Sequence, residues 1–211
     1  MKRIYHSARA GLLVLMLLGA SSMITTAADV TPDALVAKEW PTDSLNHVKV
    51  RFETSQGRKT SFAAGAGRVR IVTMFYASCP MACPLTLDTL RLIDNALTPD
   101  ERSRLDVLLL TLDPEHDTAA ELHKVAVSRH INEQRWVLGR ASSSDTRAFA
   151  SALGIQYRQL DDGSFNHSST FILLDPQGRA IARSSHMGVP DAKFVATLRR
   201  TLAVSTTPVI G

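Results

Sequence analysis

Two cysteines, Cys79 and Cys83, are the residues of this 211-residue chain best suited to chemistry, and each is followed by a proline. Their spacing, with three residues between them, allows a short-loop disulfide or two thiolates that converge on one soft metal ion. Thiolates prefer Cu(I) to hard cations, so copper is the metal that such a pair favours. A purely structural disulfide is a further interpretation, although closing so small a loop would stabilise a fold only slightly.

One of the seven histidines is placed to act together with the cysteines. His167 lies in the polar segment Phe165–Ser169, which we predict to be a loop directly before the strand Thr170–Leu174. With the two thiolates it could complete a Cys–Cys–His set that holds Cu(I) or, after rearrangement, Cu(II). His116 is a weaker candidate ligand, and His186-Met187 is predicted to be surface, far from the cysteines.

The pattern around the cysteines predicts that they lie between a buried strand and a helix. The apolar run Val69–Tyr76 is typical of a strand covered on both faces. Pro84 suits the first turn of the following helix, whose apolar positions are Leu85, Leu87, Leu90, Ile93 and Leu97. Because the N-terminus of a helix stabilises a thiolate, this position lowers a thiol pKa for metal binding and for disulfide exchange alike.

The remaining elements alternate between strands and helices. We predict strands at Val48–Phe52, Arg58–Phe62, Asp106–Leu112, Trp136–Leu138, Thr170–Leu174 and Arg179–Arg183. We predict helices from Thr118 to Arg129, from Ser143 or Ser144 to Leu153, and from Pro190 to Leu202. This order predicts an α/β protein with one thioredoxin-like domain, in which helices flank a mixed central sheet and a β-hairpin precedes the last helix. In that topology the segment with His167 faces the cysteine turn.

The first 28 residues have the composition of a targeting segment. Three basic residues precede an apolar run, and the small residues Ala27 and Ala28 suit cleavage of a secretory signal. The uncharged stretch Ala10–Ala28 is 19 residues long, close to the roughly 20 that span a membrane, so an uncleaved anchor is the alternative. In either case we expect the chain from Asp29 onward to be exported to the periplasm.

The chain beyond this targeting segment is nearly neutral. The formal charge of +4 includes the three basic residues of segment 1–28, and 21 basic and 20 acidic residues remain without them. This balance argues against a nucleic-acid partner. We expect residues 29–46 to be a flexible segment and residues 47–211 to form the domain.

From about Val69 to Leu202 the sequence resembles the Sco/SenC family of copper-binding proteins. The resemblance is carried by Cys79-Pro80 with Cys83-Pro84, Thr111–Thr118, Trp136 with Gly139, Leu153-Gly154 with Tyr157, His167-Ser168, Leu174-Asp175 and Gly178. It implies a thioredoxin-fold domain outside the cytoplasmic membrane that binds copper through Cys79, Cys83 and His167. It also implies assembly of the copper centre of cytochrome c oxidase, with an oxidase subunit or another copper chaperone as partner.

Two positions depart from the pattern of that family. Met81 stands where an acidic residue is common, and Asn166 stands where an aspartate usually precedes the ligand histidine. Loss of these two negative charges weakens the preference for Cu(II). The thioether of Met81 is soft enough to bind copper, but we interpret this residue as packing or loop surface.

The turn after the second buried strand carries Asp113, His116 and Asp117. This position borders the ligand-binding edge of an open sheet, so these residues could orient His167 or contact a partner. We interpret Asp117 and Thr118 as capping residues of the next helix.

The alternative function is a periplasmic thiol-disulfide oxidoreductase that uses Cys79 and Cys83. Thioredoxin-type reductants, however, have two residues between their cysteines and a proline before the facing strand, where this chain has Ser169. A peroxiredoxin-like peroxidase is a weaker option because its Pro-x-x-x-Thr approach is lacking, and a pure interaction module leaves the cysteine pair unexplained. The sequence therefore predicts a copper metallochaperone first and a redox protein second.

Overall fold

The structure, a computed structural model, describes residues 39–78 and 82–205, and it describes Ala82 and Cys83 by their backbone only. The strands are β1 Arg51–Thr54, β2 Lys59–Ser61, β3 Val69–Phe75, β4 Leu105–Thr111, β5 Trp136–Ala141, β6 Tyr157–Gln159, β7 Phe165–His167, β8 Phe171–Leu174 and β9 Ala180–Ser184. The helices are α1 Ala82–Asn95, α2 Pro99–Ser103, α3 Ala119–Ser128, α4 Ser143–Leu153 and α5 Ala192–Val204. None of the helices in these described ranges is both long and apolar enough to cross a membrane.

Seven strands form one mixed sheet in the order β2-β1-β5-β4-β3-β8-β9. Strand β4 pairs in parallel with both β3 and β5, whereas the other pairs of this sheet are antiparallel. The predicted mixed central sheet and the hairpin before the last helix are therefore confirmed. Strands β6 and β7 form a separate two-stranded sheet, which the sequence pattern did not predict.

The centre of the sheet is its most hydrophobic part. All seven residues of β3 are buried, and β8 is buried along its whole length. Strands covered on both faces are predominantly apolar, which explains the largely apolar run that predicted β3, although Arg70 and Thr73 are also buried within it. The register pairs Phe75 with Thr111 at the last residues of β3 and β4. The segment with the cysteines and the turn after β4 therefore leave the sheet side by side.

Two predicted helix boundaries agree with the structure. The side chain of Thr118 caps α3 by accepting a hydrogen bond from the backbone N–H of Glu121. Gly154 ends α4 in a left-handed conformation with φ of 65°, which glycine adopts without steric cost.

Other predicted helix boundaries are wrong by one or two residues. Ser142, rather than Ser143 or Ser144, caps α4 through the N–H of Asp145. Asp191, rather than Pro190, stands at the start of α5, where it accepts from two backbone N–H groups. Three adjacent serines offer a cap at α4, and only the tertiary packing selects one of them. At α5 the preference of proline for the first helical turn favoured Pro190, but Asp191 provides the cap.

The segment before β1 is less flexible than the expected boundary at His47 implies. Ser44 and Asn46 are both buried, and their side chains donate hydrogen bonds to the carbonyl of Gln177 in the β8–β9 turn. The guanidinium of Arg70, which is 4% exposed, donates to the Asn46 side chain at 3.0 Å. These bonds satisfy buried polar groups, so the ordered domain includes at least residues 44–46.

We expect Gly139→Ala to destabilise the protein by about 1–3 kcal/mol through overpacking. A Cβ at this position of β5 would lie 2.6 Å from the Phe52 ring and 2.9 Å from Leu110. Urea denaturation would measure the loss of unfolding free energy. As a control, Phe52→Leu should cost less in the Gly139→Ala background than in the wild type, because it makes room for the added methyl. Additive costs of the two substitutions would contradict this explanation.

Candidate metal centre

The cysteine segment follows directly from the central strand β3. Its first described residues, Tyr76–Ser78, continue from Phe75, and the backbone of Cys83 lies in the first turn of α1. The prediction that Cys83 lies at a helix N-terminus is confirmed. Cys79 and Met81 lie outside the described residues.

His167 is the last residue of β7 and does not lie in a loop, as the sequence pattern predicted. Its strand pairs with β6, and the register sets His167 opposite Tyr157. The turn between the two strands contains Gly163 with φ of 80°. Asp162-Gly163 between two short half-polar runs is a recognised hairpin signal, so the sequence did contain information that predicts this hairpin.

Tyr76 connects the hairpin with the end of β3. Its ring is 4% exposed and lies edge-on against the His167 ring, with 5.8 Å between centroids. The same ring packs against Phe165 at 5.2 Å, and its hydroxyl accepts a long hydrogen bond of 3.4 Å from the Phe165 N–H. His167 is thus held beside a residue that precedes Cys79 by three positions, an aromatic contact that we did not predict.

The imidazole of His167 has a ring nitrogen that is available to bind a metal ion. Its Nδ1 atom is buried and has no hydrogen-bond partner among the described residues, an arrangement that is costly unless another group uses the nitrogen. Burial lowers the pKa of His167 below its ordinary value, so the ring is neutral at physiological pH and its lone pair is available to a metal. Within residues 39–78 and 82–205 no three His, Cys, Asp or Glu side chains form a metal-binding cluster.

We expect two histidines of the copper-free protein to titrate on opposite sides of about pH 6.5, the ordinary value. Burial lowers the pKa of His167, and the hydrogen bond to Asp113 raises the pKa of His116. Because the folded-state pKa of His167 is lowered, its contribution to stability is complete above pH 6.5 and is lost as the pH falls below that value. NMR titration of the ring protons, assigned with His167→Gln and His116→Gln, would measure the pKa values of both histidines. A reversed order of the two pKa values would contradict this electrostatic description.

The carboxylate of Asp117 does not cap α3, contrary to the sequence interpretation. It is 3% exposed, and its Oδ2 atom accepts hydrogen bonds from the backbone N–H of Ala77, at 2.8 Å, and from the Thr111 hydroxyl. Capping of α3 is done by Thr118 alone. Asp117 instead connects the turn after β4 with the residues that precede Cys79.

His116 lies at the surface and pairs with Asp113. Its side chain is 72% exposed, and Nδ1 lies 2.8 Å from Asp113 Oδ1. The hydrogen bond to Asp113 ties His116 to the turn after β4.

The segment His186-Met187 lies closer to the cysteine-bearing helix than predicted. His186 is exposed, as expected, but Met187 is partly buried against the core. The N–H of Gly188 donates to the Thr89 hydroxyl at 2.8 Å, which places this loop against α1. The prediction of a surface position is therefore wrong for Met187, because the loop after β9 packs against α1 and the core.

The chain is similar to Sco proteins both in sequence and in fold. A family model described as SCO1/SenC matches residues 42–203. A relative from Stutzerimonas stutzeri, named for copper binding, is 28% identical over 117 residues. That alignment covers 53% of this chain and 55% of the relative, so the chain spans about half the length of this relative.

Two solved structures show the shared fold. Yeast Sco1 with copper bound superposes with a TM-score of 0.62 at 20% identity, over 77% of this chain and 90% of that one. BsSco, described as a member of the Sco family of cytochrome c oxidase assembly proteins with a disulfide switch, gives a TM-score of 0.63 at 20% identity, over 81% and 100%. The predicted thioredoxin-like fold is confirmed. Because the family model matches most of the chain, the protein belongs to the SCO1/SenC family.

Proposed function

We propose that the protein is a copper metallochaperone that binds copper through Cys79, Cys83 and His167. In this function it delivers copper to the copper centre of cytochrome c oxidase or matures that centre. The observation that carries the proposal is the buried, unpartnered Nδ1 atom of His167, on a ring packed against Tyr76 at the entrance to the cysteine segment. The membership of the SCO1/SenC family supports copper as the cargo.

The ligand types suit a site that must both hold and release copper. Two thiolates and one imidazole bind Cu(I) well, because soft sulfur ligands select this ion. A set of three ligands leaves room for an incoming ligand from a partner, so copper can pass by ligand exchange without entering solution. The lowered pKa of His167 means that no proton competes for the imidazole at neutral pH.

The geometry around His167 also bears on the oxidation state of the bound copper. Asn166 is exposed and precedes His167 in β7, and neighbouring residues of a strand point to opposite faces. Asn166 therefore faces away from the proposed ligand, and the exchange of a family aspartate for this amide removes charge near the site without changing a ligand. We infer that Cu(I) is the principal cargo, with Cu(II) bound more weakly.

The proposed location is outside the cytoplasmic membrane, where the oxidase copper centre is assembled. The targeting segment 1–28, as a cleaved signal or as an anchor at residues 10–28, lies outside the described residues. An exported protein of this family would meet an oxidase subunit or another copper chaperone as donor or recipient. The near neutrality of the chain beyond residue 28 gives no support to a nucleic-acid partner.

A thiol-disulfide oxidoreductase is the second candidate function. The same cysteine pair supports it, because a thiol at a helix N-terminus is activated for exchange. The facing segment supports it less, because Ser169 stands where thioredoxin-type reductants have a proline.

Copper loading of the reduced protein under anaerobic conditions tests the proposal. The expected result is about one Cu(I) per chain, lost when the thiols are alkylated before loading. The oxidised protein serves as the matched control and should bind no Cu(I). Reduced protein that takes up no copper but turns over disulfide substrates rapidly would favour the second function.

A further inference from the structure

The hydrogen bond between Asp117 and Ala77 continues the pairing of β3 and β4 beyond the ends of both strands. The last backbone bond of this pair runs from the N–H of Leu112 to the carbonyl of Phe75 at 2.7 Å. In a parallel ladder the next donor is the N–H of Ala77. Its acceptor here is not the backbone after β4 but the Oδ2 atom of Asp117, at 2.8 Å.

A second bond fixes the orientation of this carboxylate. The hydroxyl of Thr111, a residue with no exposed surface, donates to the same Oδ2 atom. The Thr111 oxygen in turn accepts from the N–H of Asp113 at 2.9 Å. The Thr111 hydroxyl, itself bonded by the Asp113 N–H, thus holds the carboxylate oxygen where the N–H of Ala77 donates to it.

The position of Asp117 is costly and is not needed for the helix that follows it. Burial raises the pKa of its carboxyl, which means that the charged form is disfavoured relative to water. Thr118 caps α3 without it. An acceptor that the fold retains at such a cost points to a requirement at Ala77, the residue two positions before Cys79.

We propose that Asp117 is a positioning residue for the cysteine pair. By holding the N–H of Ala77 it fixes the direction in which the chain enters the segment with Cys79, and so sets the copper affinity and the dithiol–disulfide equilibrium of Cys79 and Cys83. The part that concerns copper rests on the proposed function. The part that concerns the dithiol–disulfide equilibrium does not, because it holds for either function of the cysteines.

Two substitutions at Asp117 distinguish loss of the hydrogen-bond acceptor from a change of the side chain that keeps an acceptor oxygen. Asp117→Ala removes the acceptor and should weaken Cu(I) binding by roughly 10- to 100-fold, the usual cost of losing a group that orients a metal ligand. Asp117→Asn keeps an oxygen that can accept a hydrogen bond from the N–H of Ala77, so its Cu(I) affinity should stay within a few-fold of the wild-type value. Competition with a chromogenic Cu(I) chelator measures the affinity. Equilibration with reduced and oxidised glutathione measures the dithiol–disulfide constant, which we expect Asp117→Ala to change by at least about tenfold.

Asp94→Ala is the matched control for general destabilisation. Asp94 is another buried carboxylate, paired with Arg135 by two bonds of 2.9 Å near the far end of α1. Its loss should reduce stability but leave the copper affinity and the dithiol–disulfide constant unchanged. If Asp117→Ala does not fold, Thr111→Val replaces it as the test, because this substitution removes only the orienting hydroxyl. It should shift the copper affinity and the dithiol–disulfide constant in the directions expected for Asp117→Ala.

The outcomes of these experiments are distinguishable. Wild-type copper affinity and an unchanged dithiol–disulfide constant in Asp117→Ala would overturn the inference, as would equal shifts in Asp94→Ala. A wild-type protein that binds no copper would contradict the proposed function alone. In that case a shifted dithiol–disulfide constant in Asp117→Ala would still support the role of Asp117.

Discussion

Replacing His167 with alanine should weaken copper binding by more than about 100-fold, beyond the usual cost of losing a group that only orients a ligand. The same protein should still form and reduce the disulfide between Cys79 and Cys83, because dithiol chemistry does not need the imidazole. Cu(II) binding should suffer most, since this ion depends more on nitrogen ligands than Cu(I) does. Titration with Cu(I) and Cu(II) in parallel, together with glutathione equilibration, would measure the three quantities.

The control for this substitution is His116→Ala, which removes an exposed imidazole paired with Asp113. We expect it to leave copper affinity unchanged. A His167→Ala protein with wild-type copper affinity would show that His167 is not a ligand, and the oxidoreductase function would then be the better explanation of the cysteine pair.

Replacing either cysteine with serine should abolish both tight copper binding and disulfide exchange. A serine hydroxyl is not ionised at neutral pH and is a hard ligand, so it cannot replace a thiolate towards Cu(I) or in exchange. We expect Cys79→Ser and Cys83→Ser both to retain the fold. Copper retained per chain after gel filtration, with thermal unfolding as a check of the fold, would measure the effect.

Comparison of the two cysteine variants gives an internal test of a shared site. Both single variants should lose copper to the same degree as the double variant, because one remaining thiolate and one imidazole hold Cu(I) weakly. A single variant that binds copper as tightly as the wild type would contradict the assignment of both sulfurs to one ion.

The parts of the fold that apolar sequence patterns define were predicted well. Strands β3, β4 and β8 are buried over nearly their whole length, and they appear in the sequence as mainly apolar runs in which a few polar residues, such as Arg70 and Asp106, are interspersed. Strand β2 and the hairpin β8–β9 were also found, because glycine-containing turns mark their ends. These elements were sufficient to predict the topology and the strand-to-helix position of the cysteine pair.

The features that were missed depend on tertiary contacts or on weak patterns. The hairpin β6–β7 is short and only half-buried, so its apolar alternation is weak, and only its Asp162-Gly163 turn could have indicated a strand at His167. The short helix α2 was missed, although Thr98 and Glu101 form a capping box. The bond from Ala77 to Asp117 joins residues 40 positions apart, and local sequence contains no signal for it.

X-ray absorption spectroscopy of the Cu(I)-loaded protein tests the proposed ligand set most directly, because it reports the atoms bound to the metal. We predict two sulfur ligands and one nitrogen ligand, with the nitrogen contribution lost in His167→Ala and retained in His116→Ala. A wild-type spectrum with two sulfur ligands alone, or one that His167→Ala leaves unchanged, would contradict the proposed Cys79–Cys83–His167 site.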